Sequence, residues 1–248
     1  MSSDRVAIIT GAGRGLGSSI ALSLAEENVA VVLAGRSVEQ LAAVQAQIAE
    51  KGGAAIAVPT DVTSPASVEA LFAACVDRYG RLDVLVNNAG IAGLKNLVDL
   101  DEDEWQRIFD TNVRGVFLCT RAAGRHYAEV GAGRVVNVAS VFGLLGRAGY
   151  SAYGASKGAV INFTRAVAAE WAKFGAQINA VAPGYFATDI NAALRANPEL
   201  LAKVLRRVPA RRMGDPEELA NVVNYLALHA PDFLTGQIIA VDGGESSV

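Results

Sequence analysis

The residues best suited to acid–base chemistry are a tyrosine and a lysine four positions apart, Tyr153 and Lys157. On a helix this spacing places both side chains on one face, where their polar heads can approach a common point. A phenol has a pKa of about 10, and its use near neutral pH requires a shift of about three units, or roughly 4 kcal/mol. An ammonium group about 4 Å away supplies a similar energy at an effective dielectric constant near 20. The pair is therefore sufficient, in principle, to move a proton at a substrate oxygen.

A glycine-rich turn, TGAGRGLG, occupies residues 10–17 between an apolar run and a helical pattern. Glycines in such a turn let backbone N–H groups approach a pyrophosphate at the positive end of the following helix. The spacing is Gly-x-x-x-Gly-x-Gly and differs from the more common Gly-x-Gly-x-x-Gly fingerprint. Taken alone, the turn is also compatible with a merely tight connection between a strand and a helix.

Short β-branched runs alternate with amphipathic stretches of helical period along the whole chain. The runs are Val6–Ile9, Val29–Leu33, Ala54–Val58, Val84–Val86, Val135–Val138, Ile178–Val181 and Ile238–Val241. They predict an α/β fold, a Rossmann-type doubly wound parallel sheet of seven strands with helices on both faces, in one domain over residues 1–248. Helix-start signals at Ser37, Ser64 and Asp215 agree with this pattern. The ligand crevice of such a sheet lies at the carboxyl ends of its strands.

The composition excludes several classes of function. The 248 residues carry a formal net charge of -3, which provides no basic field for nucleic acid or an anionic membrane. The longest charge-free run, Phe174–Thr188, contains two glycines and a proline and is shorter than the roughly 20 apolar residues that span a bilayer. The first residues leave no room for a signal peptide. The two cysteines and two histidines lack metal-ligand spacing, so we expect no metal and a cytoplasmic protein with reduced thiols.

Several motifs together resemble the short-chain dehydrogenase/reductase family, and the resemblance runs from Val6 to about Gly244. The motifs are Thr10-Gly11-x-x-x-Gly15-x-Gly17, Asn87-Asn88-Ala89-Gly90, Asn112, Ser140, Tyr153-Gly154-Ala155-Ser156-Lys157, and Pro183-Gly184 followed by Thr188. Their order along the chain and their positions at predicted strand ends match the family. The resemblance implies a nicotinamide-dependent oxidoreductase.

The resemblance also implies roles for four catalytic residues. Tyr153 would give or take the proton, and Lys157 would lower the pKa of Tyr153 and bind the ribose hydroxyls of the nicotinamide nucleoside. Ser140 would hold the substrate carbonyl oxygen, and Asn112 would anchor a water relay. A non-catalytic module that senses the dinucleotide is the alternative from another class, and the presence of both Tyr153 and Lys157 disfavours it.

The cofactor-binding residues implied by the resemblance span the chain from the glycine turn to the end of the sixth strand. They are Gly11, Arg14, Gly15, Leu16, Gly17, Arg36, Asp61, Val62, Asn88, Ala89, Gly90, Tyr153, Lys157, Pro183, Gly184 and Thr188. Asp61 and Val62 would lie beside the adenine, although a helix-cap role for Asp61 is the alternative. Thr188 would reach the carboxamide of the nicotinamide.

The end of the second strand favours NADP(H) over NAD(H). Sheets of this type that bind NAD commonly carry an acid there, which accepts the ribose hydroxyls. Here the position is Gly35, followed by Arg36. An arginine can bind a 2′-phosphate through charge-assisted hydrogen bonds, and Arg14 can add a second cation. A solvated role for Arg36, with NAD as the cofactor, is the alternative.

The substrate lining should come from residues 141–151 and from the segment after Pro183, where residues 185–212 would form a mobile lid. Tyr185 and Arg147 are candidate substrate contacts beside Ser140 and Tyr153, and a solvated surface role is the alternative for Arg147. The sequence around Arg147 looks like that of sugar-acid 5-dehydrogenases, in which a cation could meet a carboxylate. We therefore expect a small ketone or secondary alcohol as substrate, with sugar acids and polyols included.

A 3-oxoacyl-[acyl-carrier-protein] reductase is the alternative activity. In those reductases arginines beside the entrance dock the acidic carrier protein, and the corresponding places here hold Gly131 and Phe174. Neither residue is basic, although Arg125 or Arg134 could substitute.

Two helical stretches predict a homo-oligomer. Residues 153–174 carry apolar side chains around nearly the whole predicted helix, and residues 113–123 repeat the pattern. A helix that is apolar on all sides must be buried on more than its sheet-facing side. Packing the two helices against their two-fold mates would cover this surface. The family resemblance adds a second interface near the last strand, which makes a homotetramer.

Overall fold

A computed structural model describes residues 5–188 and 191–248 of the protein. Its seven parallel strands follow the order β3-β2-β1-β4-β5-β6-β7. The strands are β1 Arg5–Thr10, β2 Val29–Gly35, β3 Ala55–Pro59, β4 Val84–Asn87, β5 Gly133–Val138, β6 Ala176–Pro183 and β7 Ile238–Val241. The strand order reverses between β1 and β4, so the carboxyl ends of these neighbours open the crevice that was predicted for this sheet. The doubly wound α/β fold is confirmed.

The described ranges contain nine α-helices, most of which pack on the two faces of the sheet. They are α1 Gly15–Glu26, α2 Val38–Glu50, α3 Pro65–Tyr79, α4 Glu102–Phe109, α5 Gly115–Val130, α6 Ser151–Trp171, α7 Ala192–Arg195, α8 Pro198–Leu205 and α9 Pro216–Asn224. The predicted N-caps Ser37, Ser64 and Asp215 each accept a backbone hydrogen bond in the first turn of their helices. None of the helices in this part of the chain is both long and apolar enough to cross a bilayer.

Each face of the sheet has its own apolar core. Ile8 and Ile9 are neighbours on β1, and both are fully buried, yet they belong to different clusters. Ile9 packs with Leu24 of α1 and Leu219 of α9, whereas Ile8 packs in the cluster that contains Trp171 of α6. Successive strand residues point to opposite faces, and this explains why the strands read as continuous apolar runs.

A π-helical turn at Asp110–Arg114 joins α4 to α5. Such turns insert an extra residue into the helical ladder and often occur at functional sites. Here the turn carries Asn112, whose side chain is fully buried. The sequence pattern predicted no such turn.

The segment predicted to form a lid contains α7 and α8. It leaves β6 through Phe186, which forms an isolated bridge with Gly214, two residues beyond the segment. The segment therefore begins and ends beside the carboxyl edge of the sheet. Asp189 and Ile190 of the predicted lid lie outside the described residues.

Candidate active site

A cleft of about 810 Å³ opens at the carboxyl edge of the sheet. Most of the predicted site residues line it, and they come from distant parts of the sequence. They are Gly11, Arg14, Gly15, Leu16, Gly17, Arg36, Asp61, Val62, Asn88, Ala89, Gly90, Ser140, Tyr153, Lys157, Pro183, Gly184, Tyr185 and Thr188. Asn112 and Arg147 are the two predicted residues that do not belong to this lining.

The glycine turn brings the N-terminus of α1 to the cleft. A Cβ on Gly17 would lie 2.1 Å from the Gly11 carbonyl oxygen, so only glycine allows the turn to close on the helix. The N-cap residue Arg14 makes no capping hydrogen bond through its side chain, and the first turn has no acidic residue. The free N–H groups and positive dipole end of α1 therefore suit an anion such as a pyrophosphate.

Thr10 and Asn88 fasten the glycine turn to the end of β4. The Asn88 amide group donates to the carbonyl oxygens of Thr10 at 2.9 Å and Gly11 at 3.1 Å. In return, the Thr10 hydroxyl accepts from the backbone N–H groups of Asn88 and Ala89, each at 3.0 Å. These bonds satisfy buried backbone groups and also shape one wall of the cleft.

Tyr153 and Lys157 lie one turn apart on α6, facing the cleft as their spacing predicted. Ser140 follows β5, and its hydroxyl lies close enough to the Tyr153 phenol to lower its pKa. A Cβ on Gly143 would lie only 2.7 Å from the Lys157 backbone carbon. This close approach holds the turn after Ser140 against α6 and so fixes the two hydroxyls beside each other.

Burial dominates the proton affinities of this pair. It raises the pKa of Tyr153, and the hydrogen bond from Ser140 opposes the rise only in part. It also lowers the pKa of Lys157 to about 8. The Lys157 Nζ donates to the Val138 carbonyl oxygen at 2.7 Å and lies 5.8 Å from the centre of the Tyr153 ring. The lowering of the Tyr153 pKa by Lys157 therefore stays a prediction, since burial is the largest cause of the shift in this structure.

The Asn112 side chain holds the backbone of the β4 loop. Its Oδ1 accepts from the Ile91 N–H at 2.8 Å, and its Nδ2 donates to the Ile91 carbonyl at 2.9 Å and to the Ser156 hydroxyl at 3.0 Å. All of these partners belong to the protein. The side chain therefore positions the loop and α6, and it does not reach the cleft itself.

Two exposed arginines, Arg14 and Arg36, line the far end of the cleft. Hydrogen bonds from Thr63 lower the pKa of the Asp61 carboxyl, and the charge of nearby Arg36 lowers it further. Asp61 accepts from the Thr63 N–H at 2.9 Å, whereas Ser64 caps α3. The alternative of a helix-cap role for Asp61 is therefore wrong.

Thr188 lies beside the glycine turn. Its side chain is within 3.8 Å of the position that a Cβ on Gly15 would take, and the residue is buried. This places Thr188 at the N-terminus of α1.

The opposite end of the cleft has an aromatic wall. The Phe142 ring packs against Tyr150, Tyr185 and Tyr153 with centroid distances of 4.9, 5.9 and 6.4 Å. Phe142 and Tyr150 lie within residues 141–151, the segment predicted to line the substrate site. The sequence did not mark them individually, because an isolated aromatic residue in a loop carries no periodic signal. The wall favours an apolar or ring-shaped molecule next to the Tyr153 hydroxyl.

Arg147 lies behind this wall. Its Nη2 donates to the Tyr185 hydroxyl at 3.0 Å and to Glu245 Oε1 at 2.9 Å. The guanidinium also lies 5.3 Å from the centre of the Phe142 ring. The idea that Arg147 is a free cation for a substrate carboxylate is therefore not supported, since a carboxylate of the protein already occupies it.

Comparisons with known proteins agree with these features. A family model described as enoyl-(acyl carrier protein) reductase matches residues 11–246. A 3-oxoacyl-[acyl-carrier-protein] reductase of Synechocystis sp. is 42% identical over 242 residues, covering 97% of this chain and 96% of that protein. A cis-4-hydroxycyclohexanecarboxylate dehydrogenase of Sinomonas cyclohexanicum is 42% identical over 246 residues, with 99% and 98% covered.

A gluconate 5-dehydrogenase of Gluconobacter oxydans is 40% identical over 238 residues, covering 96% of this chain and 93% of that protein. Among solved structures, a variant of the actinorhodin polyketide ketoreductase with NADPH has a TM-score of 0.96 at 36% identity, covering 100% of this chain and 99% of that one. The matches extend over nearly the full length of both partners. The chain belongs to the short-chain dehydrogenase/reductase family of oxidoreductases, as its motifs predicted.

Proposed function

We propose that the protein interconverts a small ketone and its secondary alcohol with NADP(H) as the hydride carrier. The observation that carries the proposal is the meeting of Ser140, Tyr153 and Lys157 in a cleft whose other end is the uncapped N-terminus of α1. The cleft holds proton-transfer groups at one end and an anion site at the other, and a dinucleotide is long enough to join them.

The residues along the cleft fit a nicotinamide dinucleotide. Its pyrophosphate would bind at the glycine turn, and its reactive ring would lie near Lys157 and Gly90. These two residues are close neighbours, since a Cβ on Gly90 would lie 3.4 Å from the Lys157 Nζ. When bound, the nicotinamide ring supplies or accepts a hydride. The relatives that bind or act through such a cofactor, such as the ketoreductase crystallised with NADPH, support this assignment.

The protein's own residues handle the substrate oxygen. In the direction of reduction, the Ser140 hydroxyl donates a hydrogen bond to the carbonyl oxygen, and Tyr153 transfers its phenolic proton to that oxygen as negative charge develops there. The raised pKa keeps Tyr153 protonated at neutral pH, as an acid catalyst requires. Asn112 would serve a water relay through its main chain, because its side-chain atoms are already bonded.

The preference for NADP(H) rests on Arg36 and Arg14. The first residue after β2 is Arg36, and no carboxylate stands at Gly35 to repel a phosphate on the adenosine ribose. Both arginines are exposed and line the same end of the cleft. A 2′-phosphate there would meet two cations and the N-terminus of α2.

We also propose that the chain forms a single domain in which residues 185–212 close over the cleft.

We propose further that the protein is a cytoplasmic homotetramer. The outward face of α6 presents small residues, Ala155, Ala166 and Ala169, which permit a second helix to approach closely. On α5, Phe117 is 41% exposed. The buried, unpaired thiols Cys75 and Cys119 agree with a reducing compartment.

Reduction of a 3-oxoacyl group on an acyl carrier protein is the second candidate, and the Synechocystis relative favours it. The structure removes one basis for it, because Arg134 is engaged inside the protein. That side chain donates to the carbonyl oxygen of Ala230 at 2.7 Å and to Asp232 at 2.9 Å. Arg125 is exposed and could still contact an acidic carrier.

A substrate panel tests the proposal. We expect the purified protein to oxidise NADPH, faster than NADH, in the presence of small ketones, and to act poorly on a 3-oxoacyl thioester of acyl carrier protein. Higher kcat/KM on the carrier-bound thioester would favour the second candidate. Tight binding of NADPH without turnover on any carbonyl compound would instead support a sensor.

A further inference from the structure

The aromatic wall beside the catalytic tyrosine has a buried ion pair behind it. The side chains of Arg147 and Glu245 are only 17% and 5% exposed, and they meet at 2.9 Å. Arg147 contacts two members of the wall, Tyr185 through a hydrogen bond and Phe142 through its ring face. The net charge of this pair therefore contributes to the potential at the substrate end of the cleft.

The C-terminal turn is built to place Glu245 against Arg147. The Asp242 carboxylate accepts from the N–H groups of Gly244 at 2.9 Å and Ser246 at 2.8 Å. Gly243 and Gly244 both have positive φ angles, 65° and 90°, which favour glycine. The Asp242 backbone of this turn lies against Gly184, where a Cβ would come within 2.8 Å of the Asp242 Cα.

Glu245 is not placed as a purely stabilising residue would be. Its Oε1 pairs with Arg147, but its Oε2 is buried without a hydrogen-bond partner among the described residues. Burying a carboxylate with half of its acceptors unused costs free energy, and a buried pair is often no more stable than apolar residues in its place. What the carboxylate does supply is a negative charge next to the guanidinium.

The wall formed by α4 has no excess of positive charge either. Arg107 lines the cleft, and Asp103 and Asp110, four residues before and three residues after it, line the same cleft. A substrate carboxylate near this wall would meet two anions for one cation. Neither group of residues therefore offers a substrate carboxylate an excess of positive charge.

We propose that Glu245 is a specificity-determining residue, which cancels the charge of Arg147 so that the site accepts neutral ring-shaped ketones and rejects ketones that carry a carboxylate. This inference rests on the proposed function of the same site. It assigns a substrate class that differs from the sugar acids suggested by the sequence around Arg147. Specificity of this kind comes from an unfavourable interaction free energy between the site and the wrong substrate.

The test compares two probes of the same shape, 4-oxocyclohexanecarboxylate and its neutral amide, 4-oxocyclohexanecarboxamide. For the wild type we expect kcat/KM with NADPH to be at least about tenfold higher for the amide. Glu245→Gln leaves Arg147 uncompensated and should shift this ratio at least about tenfold toward the carboxylate. Arg147→Gln leaves Glu245 unpaired and should shift it the other way.

The double variant Arg147→Gln with Glu245→Gln is the matched control. It removes both charges, so its ratio should return close to that of the wild type even if the single variants lose stability. A wild-type preference for the carboxylate would overturn the inference, as would an equal loss on both probes in Glu245→Gln.

A binding measurement distinguishes failure of this inference from failure of the proposed function. Binding of cyclohexanecarboxylate and cyclohexanecarboxamide to the protein with NADPH, measured by calorimetry, reports the same charge preference without turnover. Preferential binding of the amide, shifted toward the carboxylate by Glu245→Gln, would uphold the inference even if no ketone were reduced. Equal binding of the two probes by all variants would overturn it.

Discussion

Burial sets the proton affinities of the two residues that were expected to share the chemistry. It raises the pKa of Tyr153 and lowers the pKa of Lys157 to about 8. The spacing of the two residues showed that they share a helix face. It could not show that the Lys157 ammonium would donate to the Val138 carbonyl on the neighbouring strand, since that contact depends on how α6 packs on the sheet.

The lowered pKa of Lys157 predicts how stability depends on pH. The unfolded lysine titrates near 10.5 and the folded one near 8, so between these values the unfolded chain binds more protons and the wild type gains stability as pH rises. The full gain is about 3 kcal/mol. Urea unfolding at about pH 7 and about pH 10 should show this gain relative to Lys157→Met. Parallel changes in the two proteins would contradict it.

Arg36 should account for much of the preference between cofactors. Arg36→Ala should lower kcat/KM for NADPH at least about tenfold with little change for NADH, because only NADPH carries the 2′-phosphate. The preference of the wild type should also weaken with added salt, since the arginine is exposed and its ion pair is screened. An equal loss for both cofactors would indicate that Arg36 folds the loop instead.

Among the secondary-structure elements, α6 and the turn after β5 do most to position the chemistry. Their backbones approach so closely that Gly143 and Gly154 have no room for a side chain. A Cβ on Gly143 would lie 2.7 Å from the Lys157 backbone carbon, and a Cβ on Gly154 would lie 2.9 Å from the Phe142 carbonyl oxygen. The distance between the Ser140 and Tyr153 hydroxyls depends on this packing.

Gly143→Ala should therefore push the Ser140 turn away from α6. We expect kcat to fall at least about tenfold, because small displacements of catalytic groups are costly, while the affinity for NADPH changes little. Gly158→Ala is the control, since the nearest atom to its Cβ would be the Gly143 carbonyl oxygen at an ordinary 3.5 Å. Similar kinetics for the two variants would show that this packing does not position Ser140.

The strands and caps were predictable because their signals are local. The predicted run Val29–Leu33, for example, lies inside β2, and the cap at Asp215 forms a full capping box with Glu218. The π-helical turn around Asn112 and the pairing of Arg147 with Glu245 carry no local signal. The latter residues are 98 positions apart, and only the closed fold brings them together.

For the molecule as a whole, the exposed faces of α5 and α6 predict self-association. Light scattering coupled to size exclusion should give a tetramer of the 25.8 kDa chain, because pairing these helices and a second surface closes the assembly. A dimer would support only the interface formed by these helices. A monomer at micromolar concentration would show that these faces are stable in water.

The proposal that this cleft carries out ketone and alcohol interconversion depends above all on the Tyr153 hydroxyl. Tyr153→Phe removes that oxygen and keeps the ring that packs against Phe142. With an active ketone and NADPH, we predict that kcat falls by about 10²–10⁴-fold, the usual contribution of a general acid, while the Kd for NADPH stays nearly constant. A variant that kept more than about a tenth of the wild-type kcat would contradict the assignment of Tyr153 as the proton donor.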